Sequence, residues 1–187
     1  MISFAIYRLP DTDTCVKISS DSMPKRLSSY AELENKSGFV FAPFCLDNDS
    51  LLLISPDKIE VMKCEETQGV DEETKLDVSF DRDAYRDDFE CFHSNLLDGS
   101  FDKLVLSRTI SVDSSIEKRA ISLFVKACKM YPHQFVSLVS TPESGTWLMS
   151  TPEVLLEKGS NTSKWHTMAL AGTMKTPGPW SEKNVKE

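Results

Sequence analysis

What the chain lacks narrows its chemistry first. No apolar run approaches the ~18 residues that a membrane helix needs. The opening Met1-Ile2-Ser3-Phe4-Ala5-Ile6-Tyr7-Arg8 has no basic stretch ahead of its apolar part, so it does not read as a signal peptide. No GxGxxG, P-loop or GxSxG occurs, which argues against nucleotide-binding and serine-hydrolase readings. The histidines His93, His133 and His166 show neither HxxxH nor HExxH spacing, so a histidine-built metal site is disfavoured. The cysteines Cys15, Cys45, Cys64, Cys91 and Cys128 are odd in number and widely spaced, with no CxxC pair; a disulfide scaffold would be denser and a zinc site would show paired spacing. Cys91 and Cys128 fall in helix-like stretches and read as small buried hydrophobes. Basic residues are also short, 21 Lys+Arg against 29 Asp+Glu for a formal charge of −8, so a nucleic-acid backbone meets no cationic surplus. The expectation is a soluble, cytoplasmic, monomeric protein that binds neither nucleic acid nor membrane.

What is present suits one sizeable core: 187 residues, 40% hydrophobic and 27% charged. Residues 2–8, 37–44, 50–55 and 59–64 read as short strands, parted by turn residues at Pro10-Asp11, Asp47-Asn48-Asp49 and Pro56-Asp57. Residues 59–64 (Ile-Glu-Val-Met-Lys-Cys) alternate strictly, as a half-buried strand does. The acidic stretch 65–78 reads as an exposed connection.

The period then changes. Tyr85, Phe89, Phe92 and Leu96 recur along one side of a helix that Gly99 is placed to end. Residues 103–112 return to strand. Ser114 or Ser115 can cap a second helix over 116–131, with Ala120, Phe124, Ala127 and Cys128 on one side. Strand-like segments follow at 135–140, 145–150, 153–158 and 164–171. Frequent strands, few helices and short connections make the class α+β with a mainly antiparallel sheet. At the end, Trp180-Ser181-Glu182-Lys183 reads as a helix start only a few residues before Glu187, and an isolated helix under ~12 residues is marginal. The expectation is therefore the N-terminal part of something longer.

Two titratable residues stand beside apolar runs. Lys103 precedes Leu104-Val105-Leu106, where partial desolvation would suit a base, and Glu153 precedes Val154-Leu155-Leu156, where it would suit an acid. Ala169-Leu170-Ala171-Gly172-Thr173 sets small residues at a strand end, where backbone can approach a ligand closely. Residue by residue, a solvated Lys and a solvated Glu are the better readings of the first two, and an ordinary turn explains the third equally well, so the bland account wins.

Together they point further. Phe101-Asp102-Lys103-Leu104-Val105-Leu106-Ser107-Arg108, Thr146-Trp147-Leu148-Met149-Ser150-Thr151-Pro152-Glu153, Ala169–Thr173 and Lys183-Asn184-Val185-Lys186-Glu187 occur in the order seen in the chorismate-utilising enzymes, which this chain resembles, and most closely those of the isochorismate synthase kind. The resemblance implies an α+β fold of packed antiparallel sheets with flanking helices. Residues 1–80 would form its β-rich N-terminal part and 81–187 the start of the chorismate-binding region, ending before the C-terminal half. It implies chorismate as substrate and Lys103 as the base that takes a proton from water attacking C2. Glu153 would be the acid that protonates the departing C4 hydroxyl. Ala169, Leu170, Ala171, Gly172 and Thr173 would line the substrate pocket, and Glu187 would be the first glutamate of a Mg²⁺ site.

Relatives that use ammonia carry an amide where Lys103 stands. Aminodeoxychorismate synthase-like relatives carry a nucleophilic Lys where Ala169 stands. Lys103 with Ala169 therefore implies water as nucleophile and isochorismate as product, for menaquinone or a catechol siderophore. Salicylate synthase, which shares that pair, and a non-catalytic binding module of the same fold are the alternatives.

Overall fold

Pro10 to Asp13 turn the chain back on itself, with Asp11 in the left-handed region at φ 59° and the Thr12 hydroxyl donating to the Leu9 carbonyl at 2.9 Å. The turn joins β1 (Ser3–Arg8) to β2 (Thr14–Ser20) in an antiparallel hairpin that starts the main sheet. The computed structural model describes residues 2–46, 49–64, 81–111, 119–159, 163–168 and 170. They belong to two units, Met1–Gly69 with Ala120–Glu187, and Val70–Arg119.

In the first unit, β6 (Lys58–Lys63), β7 (Phe135–Thr141) and β8 (Gly145–Thr151) complete a five-stranded antiparallel sheet of order β6-β2-β1-β7-β8. A second sheet sets β5 (Leu51–Ile54) between β3 (Lys25–Leu27) and β4 (Phe39–Phe41), again antiparallel. Side chains alternate across the main sheet, and each set finds a different cover. Ile6, Val136 and Leu138 pack with Phe124 and Cys128 of helix α2 (Ala120–Met130). Ala5, Ile18 and Val139 pack with Ile54 of the smaller sheet. The layers are thus helix, five-stranded sheet, three-stranded sheet. A last two-stranded pair joins β9 (Glu157–Lys158) to β10 (Trp165–His166).

The second unit contains α1 (Arg82–Leu97), capped by the Asp81 carboxylate, which accepts from the Ala84 N–H at 2.9 Å. Gly99, at φ 76°, follows the last turn in the left-handed conformation that glycine adopts without a side-chain clash.

The α+β, mainly antiparallel class expected from the sequence is what the structure shows. Several local expectations are corrected. Residues 103–111 form no strand, since a strand needs a ladder partner and these residues make none among the described residues. Among the described residues of 153–158 and 164–171, only Glu157–Lys158 and Trp165–His166 are strand. Pro152, lacking an N–H, ends the β8 ladder. No strand was expected between residues 9 and 36, where β2 and β3 lie. Ile59 and Val61 are exposed (58% and 68%) although their strand is real. They pair with Ile18 and Val16 but lie on an edge strand, beyond the shelter of the smaller sheet. Cys91 is exposed rather than buried, because α1 buries none of its residues. Cys15 and Cys64, 49 residues apart in sequence, form a disulfide that the sequence did not signal. The expected connection over 65–78 and the caps Ser114 and Ser115 lie outside the described residues.

Candidate active site

Lys103 lies in the second unit on a strap without regular structure, residues 99–111, tied at both ends to α1. At the near end the Phe101 N–H donates to the Asn95 carbonyl at 3.2 Å, and the Ser100 N–H donates to the Asp98 carboxylate at 2.8 Å. That carboxylate is held below its usual range, chiefly by the Ser100 hydroxyl and then by the same N–H. At the far end Arg108 lies 3.2 Å from the Asp88 carboxylate, donates to the Asp81 carbonyl at 3.4 Å and sits 5.6 Å from the centre of the Tyr85 ring. Between these anchors Leu104 and Leu106 are half-buried while Lys103, Val105 and Ser107 are exposed. Burial thus alternates along the strap although no strand forms, and it holds Lys103 out toward water. Arg108, within the quoted motif but given no role in the sequence reading, is the residue that fastens this strap.

Glu153 lies in the first unit, just past β8. The Thr151 hydroxyl oxygen accepts from the Glu153 N–H at 3.2 Å, turning the chain after Pro152 and leaving the carboxylate exposed. The Met168 N–H donates to the Val154 carbonyl at 2.8 Å, and the Thr167 hydroxyl donates to the Leu155 carbonyl at 2.7 Å. These bonds extend the β9–β10 pairing backward, so that the residue after Glu153 is joined to the residue before Ala169. The chain just after Glu153 is thus tied to Thr167 and Met168. Leu170 is exposed (53%). Ala169, Ala171, Gly172, Thr173 and Glu187 lie outside the described residues.

Cavities of about 530 Å³ and about 320 Å³ lie in the first unit, and neither is lined by Lys103, Glu153 or Leu170. The larger, between the two sheets, is bordered by Arg26, Phe41, Leu52, Glu143, Trp147 and Met149. The smaller opens over Cys64 and Cys128. The Cys128 thiol is pushed up by burial and drawn partly back by the Arg8 guanidinium beside it. Among the described residues, the one group of three or more His, Cys, Asp or Glu side chains close enough to share a metal ion is Cys15, Cys64 and Cys128. These soft sulfur donors do not fit Mg²⁺, which takes oxygen ligands. No helix among the described residues is long and apolar enough to cross a membrane.

Residues 43–185 match the family model described as chorismate binding enzyme, a span that includes Lys103, Glu153 and the 169–173 segment. No curated protein and no solved structure matches the chain.

Proposed function

The chain belongs to the chorismate-binding enzyme family, and from that premise we propose that it serves as an isochorismate synthase acting on chorismate in the cytoplasm. In this reading the neutral Lys103 amine takes a proton from water as its oxygen bonds to C2 of the ring. The diene electrons shift, and the C4–oxygen bond breaks as the protonated Glu153 carboxyl delivers a proton to the leaving hydroxyl. One water enters and one leaves, so the reaction is an isomerisation. Exchange with solvent then returns the proton from Lys103 and restores the one on Glu153. Base and acid must act at different ring carbons, which suits two residues carried on separate segments.

The observation that carries this reading is the pair Lys103 and Ala169 inside the matched span: an amine where ammonia-using relatives have an amide, and a methyl where others have a nucleophilic amine. The hydrogen bond from the Met168 N–H to the Val154 carbonyl supports it by tying the residue after the acid to the chain at Met168. Mg²⁺, with Glu187 among its ligands, completes the proposal; bound there, the ion would grip the ring carboxylate.

The test is chromatography of chorismate incubated with the protein that carries these residues, in the presence of Mg²⁺. Isochorismate is expected without pyruvate. Lys103→Ala and Glu153→Gln should each lower turnover by about 10²- to 10⁴-fold, the usual worth of a positioned acid or base. Turnover retained in both variants overturns the assignment of roles. Stoichiometric pyruvate would show a salicylate synthase, and binding without turnover a non-catalytic module.

A further inference from the structure

Residues 15, 64 and 128 come from three elements. Cys15 is in β2, Cys64 follows β6 with its N–H donating to the Asp13 carbonyl at 2.9 Å, and Cys128 is in α2 on the helix face of the sheet. All three are buried, and their sulfurs lie within 4.8 Å of one another. A tetrahedral thiolate site with metal–sulfur bonds of about 2.3 Å sets its sulfurs about 3.8 Å apart, so the Cys15 and Cys64 sulfurs, joined in a disulfide, must be reduced and part before the cluster can close on one ion with Cys128.

A second observation concerns charge. Arg8 is 2% exposed, and its terminal nitrogens donate to the carbonyls of Leu9, Tyr131, Pro132 and Gln134, which are neutral acceptors. Its Nε is buried with no hydrogen-bond partner among the described residues. A buried cation held only by dipoles favours a nearby negative group. Three thiolates around a divalent ion carry a net charge of −1 and would supply it beside Cys128. The cavity of about 320 Å³ over Cys64 and Cys128, also lined by Lys63, Lys129 and Asp13, offers an entry path and room for water in the fourth position.

We propose that Cys15, Cys64 and Cys128, once the Cys15–Cys64 disulfide is reduced, form a three-thiolate site for a thiophilic divalent cation of the Zn²⁺ class. Reduction by a dithiol passes two electrons and two protons to Cys15 and Cys64 while the reductant closes its own disulfide. The metal then displaces the thiol protons as the three metal–sulfur bonds form. The preference for Zn²⁺ over Mg²⁺ follows from sulfur as donor.

The test uses the whole 187-residue chain, reduced with a water-soluble phosphine, desalted without oxygen and titrated with Cd²⁺ as probe. An ultraviolet thiolate-to-metal charge-transfer band should rise and saturate at one ion per chain. Cys128→Ser should weaken binding about tenfold or more, on the scale of losses seen at disturbed metal sites, and Cys45→Ser and Cys91→Ser should leave it unchanged. Circular dichroism guards against a folding artefact, since Cd²⁺ should preserve or restore the native spectrum of the reduced chain. Binding by Cys128→Ser equal to the parent, no saturation at one ion, or a reduced chain that Cd²⁺ does not keep folded would each overturn the proposal.

Discussion

Helix α2 buries Phe124 completely, while α1, with Tyr85, Phe89, Phe92 and Leu96 along one side, buries no residue. Their sequences show the same kind of amphipathic stripe, so periodicity alone does not separate them. The surroundings do. α2 lies on a five-stranded sheet and closes over Ile6, Val136 and Leu138. α1 is held by local polar contacts: the Asp81 cap, the Arg86–Asp83 ion pair at 3.1 Å one turn apart, the Arg108 clasp, and stacking of Tyr85 on Phe89 and of Phe89 on His93. The lesson is that an apolar stripe specifies a helix and its orientation, whereas stability comes from what covers the stripe. The two units are therefore expected to open at different free energies, the second by local fluctuations and the first only with its core.

The contrast is sharpest when equal truncations are compared. Phe124→Ala should lower the stability of the chain to urea by about 3–5 kcal/mol, and Phe89→Ala by less than about 1 kcal/mol, because only the first leaves a cavity. Similar losses for both would erase the distinction. Next in size, Asp81→Ala should cost about 1 kcal/mol as a lost cap, seen as faster amide exchange in α1 with α2 unaffected. Exchange that quickens in both helices would show the units opening together.

The smallest effect is with acid. Asp57 is held below its ordinary value of 3.8, first by the Asp21 N–H and then by the Ser20 hydroxyl, as Asp98 is by Ser100. A lowered carboxylate stabilises the fold fully above its unfolded value, and that contribution fades as pH falls below 3.8 toward the folded value. Both carboxylates face water, so the effect is modest. Between about pH 5 and pH 3 the thermal midpoints of Asp57→Asn and Asp98→Asn should fall less than that of the parent chain. Parallel curves would show that these bonds do not persist in solution.

Much of this was readable beforehand, and the failures share a cause. The strands at 2–8, 50–55, 135–140 and 145–150 and the core face of α2 follow from alternation, periodicity and turn residues, all of them local. Ile59 and Val61 were misjudged because an edge position is a property of sheet order. Residues 103–111 were misjudged because burial can alternate without a hydrogen-bonded neighbour. Arg108 could have been noticed as a cation placed to meet acids on the helix before it. Thr151 could have been noticed as a hydroxyl before Pro152, free to cap the turn. The backbone bond from Met168 to Val154 leaves no mark on either residue's side chain, so only coordinates reveal it.

Short-range chemistry, which amino-acid order controls directly, was enough to set the antiparallel α+β class and the helices, and the order of residues 43–185 carries the match to the chorismate-binding family. The tertiary structure alone decided which apolar faces are covered, that Glu153 turns out of the ladder, and that Cys15, Cys64 and Cys128 meet. Those outcomes depend on how strands from distant parts of the chain pair, and pairing is a relation between segments that neither segment encodes by itself.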